Sequence, residues 1–98
     1  MIEGGAFLLD VREDDEWGAG HAPLATHVRL GDVPTQLEAV PTDRTVIAVC
    51  RAGGRSQQAA TFLREQGIEA MNLAGGMQAW AGAGLAVVTE SGQPGTVI

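Results

Sequence analysis

The chain has no lysine, no tyrosine and a single cysteine, and its six Arg are scattered along the sequence with no basic tract. With a formal net charge of −6 over 98 residues, it lacks the electrostatic footprint of a nucleic-acid binder. A lone cysteine rules out an internal disulfide and a cysteine-rich metal centre. No apolar run is long enough to span a bilayer, and residues 1–20 show neither the charged nor the apolar region of a secretion signal. These absences lead us to expect a protein of the reducing cytosol, with no nucleic acid or membrane as partner. The 45% hydrophobic content, arranged in patterned segments, points to one folded domain with a modest core rather than a disordered chain.

The stretch richest in information is Thr45 to Gln66. Thr45-Val46-Ile47-Ala48-Val49 is short, continuous and apolar, as expected of a parallel-sheet strand buried on both faces. Cys50 follows at the strand's end, then a glycine-containing bend. Ala59, Ala60, Phe62 and Leu63 then recur at helical spacing, with Ser56 as the expected helix starter and Gly67 as the stop. Gly53 and Gly54 allow positive φ, so the bend can turn its N–H groups inward as an anion nest. The helix start adds its own free N–H groups and partial positive charge. Arg51 and Arg55 add two guanidinium groups. Each feature favours thiolate over thiol, so the Cys50 pKa should lie below the free value of about 8.5. The plainer reading makes Cys50 a small buried hydrophobe. Its place after the strand and before paired glycines favours the reactive one.

Elsewhere, Ala6 to Val11 reads as a second buried strand that runs into the charged cluster Asp10, Arg12, Glu13, Asp14, Asp15 and Glu16. Gly18 to Ala25 reads as a loop, and Thr26 to Leu30 as a short strand. A weakly striped helix is expected from Pro34 to just before Pro41. Ile68 to Leu73 reads as a fourth strand, followed by a Gly75-Gly76 turn and a short helix over Met77 to Ala81. Alternation of this kind predicts an α/β fold: a small open parallel sheet of about four strands with helices on both faces. Ligands of such sheets bind outside the carboxyl ends of the strands, where both Cys50 and Asp10 fall. One domain is expected over residues 1–90, with 91–98 as a flexible tail.

Four ordered segments resemble the single-domain rhodaneses, a family of sulfurtransferases. They are LLDVRE (8–13), Glu16-Trp17 with Gly20-His21-Ala22-Pro23, CRAGGRS (50–56) and NLAGGMQAW (72–80). The resemblance implies a rhodanese-like fold and thiosulfate:cyanide-type sulfurtransferase activity, with Cys50 as the nucleophile that becomes a persulfide. It implies that Arg51, Ala52, Gly53, Gly54, Arg55 and Ser56 hold the donor and the persulfide. A thiosulfate or persulfide donor would load Cys50, and cyanide or a thiol would unload it, in two half-reactions. No metal or organic cofactor is implied. A sulfur-relay protein is a candidate partner. Cysteine phosphatases and arsenate reductases of related fold are the rival enzymes, and a non-enzymatic sulfur-relay or regulatory module is the third reading. Four residues separate Cys50 from Arg55. The phosphatases place one more between the two, and a tetrahedral phosphate needs that wider ring.

The resemblance also implies an edge strand and helix ahead of LLDVRE, and only six residues precede Phe7 in this sequence. The fourth strand is then expected to be an open edge, and Leu85 to Thr89 the segment that covers it. Asp10 has two readings, an anchor for Arg55 or Arg51 and a cap on the loop after its own strand. Arg12 and Glu13 are expected in surface or local ion pairs. His21 is expected to shape its loop, and neither His21 nor His27 is assigned as a base. Trp80 and Met77 are expected in the core, and Ser56 mainly as a helix cap.

Overall fold

The computed structural model describes residues 5–98. Four parallel strands form one sheet: β1 (Phe7–Asp10), β2 (Thr26–His27), β3 (Val46–Val49) and β4 (Ala70–Asn72), in the order β2-β1-β3-β4. Three α-helices connect or flank them, α1 (Asp14–Ala19), α2 (Gly54–Glu65) and α3 (Gly76–Gly82). The expected fold class is the one observed.

β3 is one of the two inner strands, and its sequence is apolar throughout. All four of its residues are buried, and their side chains alternate between two cores. Val46 and Ala48 join Leu9 and Val11 against Ala59, Ala60 and Leu63 of α2. Ile47 and Val49 join Leu8 and Ala22 against Met77, with Trp80 and Val97 packed alongside. A parallel sheet covered on both faces needs this continuous apolar run, and only Val46 to Val49 supplies it without a polar break.

Several elements differ from the sequence reading. The acidic segment after β1 forms α1, whose start is fixed by Glu13 and Glu16 as a capping box. The helix expected from Pro34 is instead two 3₁₀ turns, Leu30–Thr35 and Leu37–Ala39. Pro34 lies inside the first, and a weak apolar stripe does not sustain a longer α-helix. β2 is only two residues long, and the amides of Val28 and Leu30 still bond to Asp10 O and Val11 O as the chain enters the first of these turns.

The fourth strand is an edge, as expected, but Leu85 to Thr89 does not pair with it. Val88 forms bridges to His21 and Pro94 instead. Among the described residues no strand occupies the outer side of β4. An apolar groove of about 660 Å³ lies between β4 and α3, walled by Met71, Leu73, Trp80 and Leu85. The terminal residues expected as a flexible tail fold back onto the domain. Gly95 N–H donates to Val87 O at 2.8 Å and Thr96 N–H to Ala19 O at 2.9 Å. A side chain at Gly20 would collide with the Thr96 backbone, so that glycine permits the close approach.

Candidate active site

Cys50 follows β3 directly and its side chain is 1% exposed. It belongs at the sheet's carboxyl edge, as expected, yet its side chain packs with the core on the α2 face. The loop wraps the sulfur from the solvent side. Gly53, with φ of 118°, is the N-cap of α2. Its left-handed backbone turns its N–H back onto Cys50 Sγ at 3.1 Å.

Helix α2 therefore starts at Gly54, two residues earlier than the sequence suggested. Ser56 is not its cap. Ser56 lies inside the first turn, fully buried, with Oγ 3.3 Å from Cys50 Sγ and 2.5 Å from Asn72 Oδ1. Burial pushes the Cys50 thiol pKa up. Hydrogen bonds from the Ser56 hydroxyl and from the amides of Ser56, Gly53 and Ala52 outweigh it, and the net direction is down. The inward amides are matched by outward carbonyls. Cys50 O accepts from Met77 N–H at 2.7 Å and Arg51 O from Gln78 N–H at 3.0 Å, both in the first turn of α3. Gly76 makes this possible. Its φ is +57°, and a Cβ there would strike the carbonyls of Cys50 and Arg51. Gly75-Gly76 is thus the second half of the cradle, holding the loop from behind.

The two arginines do different things. Arg55 is tied to Glu16 by a bidentate pair, Nη1 to Oε1 at 2.7 Å and Nη2 to Oε2 at 2.8 Å. The hydrogen bond from Arg55 is the chief reason that Glu16 falls to a pKa of about 2, and the same pairing raises Arg55. Glu16 also accepts from Glu13 N–H at 3.0 Å, so one carboxylate joins the start of α1 to the start of α2. Arg51 is exposed, and its Nε donates to Ile98 O at 3.0 Å. The loop's positive charge is partly compensated by Glu16, so the sulfur's nearest stabilising groups are amides and one hydroxyl.

Asp10 anchors neither arginine of the loop. It is fully buried against Arg12, accepting from Nε at 3.0 Å and Nη2 at 2.8 Å, and from the Arg12 N–H at 3.0 Å. Of its two readings, the local one holds: Asp10 binds the chain just beyond its own strand. Arg12 forms the expected local pair, but in the core rather than at the surface, and its Nη2 also reaches Gly20 O. Arg12 Nη1 has no hydrogen-bond partner among the described residues. Both histidines stack on Trp17, His21 at 3.6 Å and His27 at 4.7 Å between centroids. Their ring nitrogens meet Trp17 O and Arg12 O, which gives both a role in loop structure.

Sequence reasoning missed Glu16 and Asn72 as neighbours of the site. Asn72 had a readable signal, since it ends the strand beside β3 and precedes a Gly-Gly turn, as Cys50 ends its own strand before Gly53-Gly54. Glu16 had none, because nothing local announces a pair formed 39 residues away.

Cys50 is thus a thiol held by backbone and hydroxyl donors at the carboxyl end of a buried parallel strand. The rhodanese-like domain family matches residues 1–83, and the chain belongs to that family. It is 43% identical over 76 residues to the Bacillus subtilis (strain 168) protein YtwF, spanning 78% of this chain and 74% of that one. A protein of Allochromatium vinosum named "Sulfurtransferase" is 38% identical over 86 residues, covering 87% and 80% of the two chains. The crystal structure of a rhodanese-related protein from Thermoplasma volcanium superposes with a TM-score of 0.84 at 27% identity, covering 90% of this chain and 88% of that one.

Proposed function

We propose that this protein is a sulfurtransferase that carries sulfane sulfur as a persulfide on Cys50. The observation that carries the reading is the sulfur's donor set, Gly53 N–H at 3.1 Å and Ser56 Oγ at 3.3 Å, which favours a negatively charged sulfur in a buried position. Family membership and the A. vinosum relative support sulfur as the group transferred.

In the first half-reaction the Cys50 thiolate attacks the outer sulfur of thiosulfate. A bond forms between the two sulfurs, and the bond from the outer sulfur to the sulfonate breaks. Sulfite leaves with the electron pair. A persulfide donor would load the same sulfur and release its own thiolate. In the second half-reaction cyanide or an acceptor thiolate takes the outer sulfur, and Cys50 departs as thiolate. The amides of Ala52, Gly53 and Ser56 hold the charge that remains on sulfur after each step. Gly54 is the first residue of α2, directly after the Gly53 cap. Arg51, whose guanidinium is exposed, draws the anionic donor to the mouth, while Arg55 keeps the loop's shape through Glu16. Neither half-reaction as written needs a metal or organic cofactor. We assign its work to the reducing cytosol, where a free thiol persists. No helix among the described residues is long and apolar enough to cross a membrane.

The test is a thiosulfate:cyanide assay run beside hydrolysis of p-nitrophenyl phosphate. Thiocyanate formation that is lost in Cys50→Ser, with no phosphate release, is the expected result. Phosphate release without thiocyanate would overturn the assignment. Sulfur delivered to a protein thiol with little turnover on cyanide would identify a relay subunit working with a protein acceptor.

A further inference from the structure

The Ser56 hydroxyl has one proton and two acceptors. Asn72 Oδ1 lies at 2.5 Å and Cys50 Sγ at 3.3 Å. A hydroxyl can donate only once, so the nearer oxygen takes the proton while the sulfur is neutral. Neutral sulfur is a weak acceptor, but a thiolate is a strong, charged one. The balance between the two acceptors therefore depends on the charge state of Cys50. The pair is held firmly enough for that competition to matter. Ser56 is fully buried in the first turn of α2, and Asn72 is the last residue of β4.

We infer that Asn72 is a positioning residue that competes with Cys50 for the Ser56 hydroxyl proton, holding it away from the neutral sulfur and sharing it with the charged one. The inference rests on the proposed role of Cys50 as nucleophile and adds a residue that sets its reactivity. A thiolate with one more permanent hydrogen bond is easier to form but less nucleophilic. Asn72 lets the site keep its amide donors for charge stabilisation without making the resting thiolate inert. The other ionic groups around the loop do not substitute for it. Arg55 is committed to Glu16, Arg51 reaches Ile98 O, and Asp10 faces Arg12.

The experiment is the pH profile of Cys50 alkylation by iodoacetamide in the whole protein, which needs no sulfur donor. In Asn72→Ala the hydroxyl keeps only the sulfur as acceptor. The Cys50 pKa should fall by about 0.5–1 unit, the scale of one hydrogen bond to a charged group shared between acceptors. The rate on the high-pH plateau should drop about twofold to threefold, following the dependence of thiolate nucleophilicity on pKa. The variant and wild-type profiles then cross, which loosened packing alone would not produce. In Asn72→Asp the stronger acceptor and added charge should move the pKa up. In Ser56→Ala the pKa also rises, and adding Asn72→Ala to that background should change nothing further. A rise in Asn72→Ala, or an effect that persists without the Ser56 hydroxyl, overturns the inference. Failure of sulfur transfer in the wild type would count against the proposed function and leave this alkylation result readable by itself.

Discussion

At the scale of single residues, Asp10 and Arg12 illustrate how burial changes the meaning of a charge. Both side chains are completely shielded from solvent, and their bidentate pair also fixes Gly20 O. An exposed pair contributes at most about 1 kcal/mol, whereas removing one partner of a buried pair strands the other without compensation. Asp10→Ala should therefore lower unfolding stability by about 3–5 kcal/mol. Because the hydrogen bonds of the Asp10 side chain go to Arg12, the variant that remains folded should keep its alkylation pKa. Denaturant titration and alkylation of the same sample check both halves. A small stability loss with a large pKa change would restore Asp10 as an anchor of the loop.

At the scale of elements, the site is assembled by helix starts around the end of β3. α2 supplies inward donors through Gly53 and Ser56, α3 takes up the outward carbonyls of Cys50 and Arg51, and α1 supplies the carboxylate for Arg55. The link between α1 and α2 should be sensitive to acid. Glu16 has its pKa depressed from 4.5 to about 2 in the folded protein. A depressed folded pKa means that the unfolded chain binds the proton more readily. The contribution of Glu16 is thus fully present above its unfolded value near 4.5 and is lost as pH falls toward about 2. Denaturant midpoints of wild type and Glu16→Gln should differ most above pH 5 and converge as pH approaches 2. A gap that stays constant across that window would show that the pair contributes nothing through its charge.

What could be read from the sequence divides along the same lines. β3, Cys50, the glycine bend and α2 were legible because strand, turn and helix signals there are local and consecutive. The parallel α/β class followed from alternation of elements, whereas the order β2-β1-β3-β4 did not. The start of α2 was displaced because Ser56 looks like an N-cap, while Gly53 in the left-handed region performs that task. α1 was hidden because six residues rich in acid read as a solvated surface. The partnership of Ser56 with Asn72, and of Arg55 with Glu16, depends on tertiary approach and left no periodic trace.

At the scale of the whole molecule, the C-terminal residues are part of the domain's packing. Thr96 bonds to Ala19, Val97 packs on the α3-side core, and Ile98 O accepts from Arg51. We propose that residues 93–97 are ordered and not a free tail. The amides of Gly95 and Thr96 should then exchange with solvent markedly slower than that of Gly31, which lies in the first 3₁₀ turn. Equal, fast exchange at all three would show that the segment is loosely held and would return it to the mobile class. The groove beside β4 leaves the opposite edge of the sheet more open, with Met71 and Leu85 both exposed.

The central claim is that Cys50 accepts a second sulfur atom and gives it up again. Intact mass spectrometry before and after thiosulfate treatment tests it directly. The account predicts a gain of a single sulfur, absent in Cys50→Ser and removed by cyanide. A mass unchanged by thiosulfate and by persulfide donors would contradict it.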